Sequence, residues 1–320
     1  MSDSIGILNQ MGISAVAGWD TAFSASTAII PFEEEGLNEA FERVQQVDLI
    51  GSGGKLPSYQ GIKVIQGPTK HTLCYDVQTL IAAVPGNDSA GTISIVDRLG
   101  SGSVNAFWIE IDKGHIRHRF GAAKPMKMTI SGEKNNSIKL DLDWYFKDRV
   151  ATASAMASLT PPTNRKILFS DLVFRIGDQV DALTSGDDLG IESFEIVLDR
   201  APKADDYVSD ASAPELPLEV IENDFRVASL SFKVPRYNSD TIVGWKDADT
   251  ALQATLTFTS SAGTLTIKLP ELRITEGFDA NVGGPGALTL EGTLEAYRSL
   301  DTSHPMHPAT TMNELEIAYT

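Results

Sequence analysis

The chain has five histidines and one cysteine, the residue types best suited to hold a metal or to act as a nucleophile. Their spacing argues against both roles. His115-x-x-His118 and His304-x-x-His307 are the only paired histidines. A metal prefers such a pair on a helix, with a third ligand and an outer layer of hydrogen bonds to orient it. The first pair closes a stretch of alternating residues, in which positions i and i+3 point to opposite faces. The second pair stands beside Pro305 and Pro308 in a polar stretch. Both pairs are expected to be exposed or hydrogen-bonded, with no metal. Cys74, between Leu73 and Tyr75, has no helix N-terminus or cationic cluster beside it, so a buried structural thiol is expected. The acidic runs Glu33-Glu34-Glu35 and Asp205-Asp206 read as solvated. Asp141-x-Asp143 falls on the wet face of a strand, so no glycosidase-type pair of carboxylates flanking a cleft is evident.

No nucleophile elbow, phosphate loop or dinucleotide fingerprint occurs. Residues 51–54 (GSGG) precede Lys55-Leu56-Pro57 instead of a helix, so a flexible loop is expected and not a phosphate cradle. Neither a catalytic residue nor a cofactor is expected. The composition points the same way: 26 Lys+Arg stand against 43 Asp+Glu, a formal charge of −17, which opposes nucleic-acid binding through a basic surface. The imbalance is uneven. Residues 1–160 carry 14 basic and 17 acidic side chains, and residues 161–320 carry 12 and 26. A single cysteine excludes an intramolecular disulfide. The first residues (MSDSIGILNQMG) lack a basic and then apolar leader, and no apolar run approaches the roughly 20 residues of a membrane helix. No membrane partner is expected, and folding in a cytoplasm is.

The elements that must carry these residues are mostly strands. In residues 137–147 (SIKLDLDWYFK), Ile138, Leu140, Leu142, Trp144 and Phe146 alternate with polar positions. Residues 228–234, 252–258, 264–269 and 287–297 alternate likewise and are rich in Thr and branched apolar residues. Such alternation belongs to antiparallel sheets with one solvated face. One helix is expected, with Val77, Leu80, Ile81 and Val84 on its apolar stripe, Asp76 as N-cap and Pro85-Gly86 as its end. The expected class is mainly β.

The order of segments repeats. Strand-like stretches at 41–50, 62–75 and 107–116, followed by a hairpin from Met126 to Phe146, correspond to 191–200, 251–259, 264–274 and 288–297. No counterpart of the helix is evident in the second half, where residues 260–263 form only a turn. The expectation is two similar antiparallel β-sandwich or partial-barrel domains in tandem, with the short helix packed on the sheet of the first. They occupy residues 1–158 and 159–300, joined near 151–164 (ATASAMASLTPPTN), whose composition suits an extended linker. Residues 301–320 form a C-terminal arm in which Leu315, Ile317 and Tyr319 alternate.

This pattern resembles the tail tube proteins of long-tailed bacteriophages. The resemblance rests on residues 42–59 (ERVQQVDLIGSGGKLPSY), followed by 60–67 (QGIKVIQG) and the amphipathic helix. In the second half it rests on 169–178 (FSDLVFRIGD), 191–200, 222–237 (ENDFRVASLSFKVPRY) and 265–292. It implies a structural virion protein, not an enzyme, assembled in the host cytoplasm into stacked rings whose sheets join around a lumen that conducts genomic DNA without tight binding. It implies three chains per ring if both halves are tube domains and six otherwise. Further partners would be the tape measure, terminator and baseplate proteins. Loops or arms lock successive rings in this family, and Gly53, Lys55, Tyr59, Met306, Leu315 and Ile317 are the residues here assigned to such contacts. The alternative class is a β-sandwich module binding carbohydrate or acting as an adhesin, which would display an aromatic platform. Trp19, Trp108, Trp144 and Trp245 mostly fall at apolar-alternating positions instead.

Overall fold

Side chains that alternate apolar and polar can bury one face of a strand only by pairing strands into a sheet that shares that face. The computed structural model follows this rule throughout. It describes residues 10–16, 25–44, 58–76, 78–96, 106–114, 116–152, 165–202, 216, 220–236, 239–279, 288–308 and 310–320. In chain order the strands begin with β1 (Gln10–Val16), β2 (Ala28–Ile30), β3 (Glu34–Glu35), β4 (Asn38–Val44) and β5 (Tyr59–Thr72). After helix α1 (Gln78–Ala83) come β6 (Gly86–Ser89), β7 (Thr92–Ile95), β8 (Ala106–Asp112), β9 (Arg117–Glu133), β10 (Lys139–Phe146) and β11 (Asp148–Thr152). Then follow β12 (Leu172–Asp178), β13 (Ser193–Asp199), β14 (Val227–Val234), helix α2 (Thr241–Asp247), β15 (Leu252–Ser260), β16 (Gly263–Gly277), β17 (Leu290–Tyr297) and β18 (Glu316–Tyr319). The fold is mainly β and antiparallel, as the alternation predicts.

β10 has the predicted faces, with Leu140, Leu142, Trp144 and Phe146 fully buried. The helix predicted around Leu80 and Ile81 is α1, and Leu80, Ile81 and Val84 are all buried in the core. The second helix, α2, corrects the expectation of one. Only Ile242 and Trp245 mark its inner side, and Gly244 sits in its middle, so its periodicity is too short to read from sequence. It follows β14 as α1 follows β5.

Two sets of four strands share one order. β4, β5, β10 and β9 lie side by side, and so do β13, β14, β17 and β16. In each set the third strand along the chain lies last and opens with a hairpin partner, β8 for β9 and β15 for β16. The sets meet where β9 pairs with β13 over seven residue pairs, from Ser193↔Glu133 to Asp199↔Lys127. At this seam a Cβ on Gly132 would stand 2.4 Å from the Phe194 ring, so only glycine lets the strands close. Phe194, Ile196 and Leu198 are buried here, each contributing about 1.5–3 kcal/mol, against about 1 kcal/mol for a ladder hydrogen bond. The expected boundary at 158/159 lies outside the described residues, while the sheet on either side is continuous through β9 and β13. A second closure comes from β18, which pairs with β16 on one side and β7 on the other.

A smaller sheet, in the order β2–β1–β8–β9–β11, shares the long strand β9. Its polar centre is Glu110, only 1% exposed, which accepts hydrogen bonds from Ser26 Oγ, Arg117 Nη1 and Arg119 Nε at 2.8 Å each. Burial alone would raise this carboxyl's pKa. The bonds from Ser26 and Arg119 and the charge of Arg117 outweigh it and hold the group below the usual range.

Arg200 fastens the two halves at the end of the seam. Its guanidinium, fully buried, donates from Nε to the Val84 carbonyl at 2.6 Å, from Nη2 to the Pro85 carbonyl at 2.5 Å, and from Nη1 to Glu222 at 2.5 Å. The Val96 carbonyl accepts two more bonds, at 3.2 and 3.3 Å. The planar fork thus caps carbonyls just past the end of α1, that of Pro85 jointly with the Val96 amide at 2.9 Å. Replacing Arg200 with Met removes these donors and strands Glu222. The expected cost is about 3 kcal/mol of unfolding free energy, read from urea titrations against an exposed control such as Lys134→Ala.

Candidate functional site

The polar face of the broad sheet is the surface that distinguishes this protein. Register places Lys70, Asp141, Thr129, Val197, Ser229, Glu295 and Arg273 in one row crossing β5, β10, β9, β13, β14, β17 and β16. The next row runs Thr72, Lys139, Ser131, Glu195, Ser231, Thr293 over the same strands up to β17. On the opposite face, His71, Leu140, Ile130, Ile196, Leu230 and Leu294 form the row beneath, all buried. The sheet therefore has one sealed apolar side and one half-buried side of hydroxyls and charges. Ser231 and Thr293 hydroxyls bond each other at 2.9 Å across it.

Charge is unevenly spread over this face. On β5, β9 and β10 the bases Lys70, Lys127 and Lys139 balance the acids Glu133, Asp141 and Asp143. On β13, β14, β16 and β17 the bases Lys233, Lys268 and Arg273 face the acids Glu195, Asp199, Glu271, Glu276, Glu291 and Glu295. Part of the acidic excess of the second half thus sits here. Lys70, Lys139 and Lys233 are each paired, with Glu34, Glu33 and Glu192. Burial, then the neighbouring charges of Asp143, Glu33 and Glu195, hold the Asp141 carboxyl above its usual range against the pull of Lys70.

Other candidate groups have structural partners. The run Glu33-Glu34-Glu35 is not merely solvated: Glu33 binds Lys139 and Thr72, Glu34 binds Lys70, and Glu35 binds Lys113 and the Leu37 amide. Trp144 is fully buried, and Trp245 packs on the core. Trp144 donates its indole N–H to Thr69 Oγ1 at 2.7 Å, Thr69 reaches His71 Nε2 at 2.8 Å, and His71 Nδ1 meets the Pro31 carbonyl at 2.9 Å. With His71 neutral and its proton on Nδ1, the form that burial favours, Thr69 accepts from Trp144 and donates to Nε2 while Nδ1 donates to the Pro31 carbonyl. Cys74 is buried, and burial followed by the charge of Asp76 pushes its thiol pKa up, the opposite of an activated nucleophile.

His115 lies outside the described residues, and His118 is half-buried at the start of β9. His304 and His307 are buried and stacked, ring centroids 4.3 Å apart. His304 Nδ1 accepts the Met306 amide at 3.0 Å, so Nε2 carries the proton that the Pro270 carbonyl receives at 2.9 Å. Both nitrogens are therefore occupied. Among the described residues no cluster of three or more His, Cys, Asp or Glu could hold a metal.

The residues expected at subunit contacts are placed differently from one another. Gly53 and Lys55 lie outside the described residues. Tyr59 is 65% exposed, at the start of β5. Met306 is half-buried beside the histidine pair. Leu315 and Ile317, also expected at subunit contacts, are fully buried in the core of their own chain. The reason is β18: Ile317 faces Ile267 on one side and Ile93 on the other. Sequence shows the alternation of that strand but not its partner. The polar rows went unread for the same reason, because the face exists only once β9 has met β13.

A sheet of this breadth, sealed on one side and acid-rich on the other, defines a mainly β structural subunit. The chain belongs to the phage tail tube protein family, whose sequence profile matches residues 10–297. Among curated proteins none matches it significantly. It is a structural component of the virion tail, a class that forms a tube with other tail proteins.

The neutral histidines have a consequence for pH. Burial comes first among the causes lowering the pKa of both His71 and His304; for His304 the charge of His307 is second. The unfolded chain, with histidine near 6.5, then binds more protons than the native state below that value. Stability is expected to be level above about pH 7.5 and to fall as pH drops through about 6.5 toward 5. Urea titrations across that range would measure the slope, and a flatter slope is expected for His71→Gln and for His304→Gln.

Proposed function

We propose that this protein is the repeating subunit of the tail tube wall. Copies join into rings, rings stack, and the acid-rich sheet face lines a lumen through which genomic DNA passes without being held. The observation that carries this reading is the continuous sheet from β5 to β16 with its polar rows. DNA binding grows with each phosphate neutralised by Lys or Arg. A wall whose lysines are largely paired and whose acids are in excess keeps phosphates off instead, over roughly one Debye length, about 8 Å at physiological salt.

The shared order of the two four-strand sets supports two tube units per chain, at 1–158 and 159–300, and so three chains per ring. The hairpin of β4 and β5, with Gly53 and Lys55 in its connection and Tyr59 exposed at its base, suits contact with the next ring. Tape measure, terminator and baseplate proteins are the partners proposed at the tube's inner space and ends, with assembly in the host cytoplasm.

Electron microscopy of the concentrated protein tests this reading: rings or tubes with a central channel are expected. A persistently monomeric protein would count against it. Charge supplies a second test. The wild type is expected not to retard duplex DNA at 150 mM salt (about physiological ionic strength), whereas Glu195→Lys/Asp199→Lys/Glu295→Lys should do so, and less as salt rises.

A further inference from the structure

The segment between β17 and β18 is a strap closed at its base. Ser299 and Met312 exchange backbone hydrogen bonds at 2.9 and 3.0 Å, and between them the chain folds back onto Pro270 of β16. Much of the strap is wet: Leu300, Asp301, Thr302, Ser303, Pro308 and Thr310 are exposed. Between its buried ends, only His304 and His307 are buried among the described residues. Two titratable rings thus anchor the strap where apolar side chains are the ordinary choice.

The anchor requires a neutral His304. Its Nδ1 accepts the Met306 amide and its Nε2 donates to the Pro270 carbonyl, so a second proton can go only to Nδ1. That proton turns the acceptor into a donor facing another donor and leaves the Met306 N–H unmet. It also sets a cation against the His307 ring, stacked at 4.3 Å with planes 7° apart. His307 meets the Thr310 carbonyl through Nδ1 at 3.0 Å, and its Nε2 is buried without a partner among the described residues. The charges that favour a proton on His304 are Asp301 on the strap and Glu271 on β16. Neither bonds to a ring: Asp301 accepts from the Ser303 amide and hydroxyl at 2.8 and 2.7 Å, and Glu271 from Gln179 at 3.3 Å.

We propose that the stacked pair is an acid-released latch: a proton on His304 opens the strap from Ser299 to Met312 and leaves the sheet closed. Opening stops at Met312 because the residues beyond it are fixed independently. Asn313 binds the Ile95 carbonyl, Glu314 pairs with Arg226 at 2.9 Å, and Leu315 and Ile317 are buried. On the other side, β17 is held by ladders to both β14 and β16. Such an opening is local, with a free energy below that of global unfolding. In the open strap His304 is solvated and titrates near 6.5. A proton taken up only by the open form raises the opening constant by up to about 30-fold between pH 7.5 and 5.0. The latch lies within one chain, so it stands apart from the tube-wall reading.

Hydrogen exchange of the full chain, followed by mass spectrometry and corrected for the intrinsic effect of pH, tests the latch. Peptides covering 299–312 are expected to lose protection by about 10- to 30-fold from pH 7.5 to 5.0. Peptides of β9 and β13 should stay at least about tenfold better protected than the strap at both pH values. His304→Gln should abolish the pH dependence of the strap, whereas His71→Gln, a change in the core, should leave it. Carbon-13-labelled histidine in the wild type gives a reading that needs no variant: the His304 ring signal should reach its protonated position over the interval in which the strap opens. A strap equally protected at both pH values, or one that opens only together with β9 and β13, would overturn the latch. So would a strap that keeps its pH dependence in His304→Gln.

Discussion

Everything in this fold depends on the ladder between β9 and β13. It turns two four-strand sets into one sheet with a continuous polar face. The ladder is held mainly by apolar burial, with Phe194, Ile196 and Leu198 on one strand set against Met128 and Ile130 on the other. Gly132 is the steric condition for it, since any side chain there would occupy the space of the Phe194 ring. Arg200 then locks the adjoining carbonyls, and the polar rows follow from register.

The same economy governs polar groups inside the sheet. Thr69, fully buried, would be a liability alone. Between Trp144 and His71 it both accepts and donates, and the chain of bonds ends on a carbonyl. Glu110 is similar, a buried charge with three donors converging on it. Such networks specify one arrangement because a slip of one residue would leave a partner unmet. By contrast, the outward acids have room and water. Their energy is spent in a field instead of in packing.

How much was legible in the sequence follows from the range of each interaction. Leu140, Leu142, Trp144 and Phe146 announce a half-buried strand because the signal lies within eight residues. Leu80 and Ile81 announce α1 in the same way, whereas α2, with Gly244 at its centre, offers too few periodic positions. The family's general pattern is visible in the order of such segments. Which edge meets which is not, because β9 and β13 carry no local mark of their partnership. Leu315 and Ile317 make the point most sharply: the residues read as a strand, but nothing in them says that β7 and β16 of the same chain await it.

That last strand also determines how the molecule must fold. The Asn313 side chain binds the Ile95 carbonyl across 218 residues of sequence, and the β18–β7 ladder lies beside it. Contacts so distant along the chain cost loop-closure entropy before they return anything, so they form late and slowly. Until β18 arrives, β7 and β16 each offer an unpaired edge next to a nearly finished core. A chain in which β18 is slow to dock is therefore expected to leave these two edges open to any other strand nearby, the condition that favours aggregation over maturation.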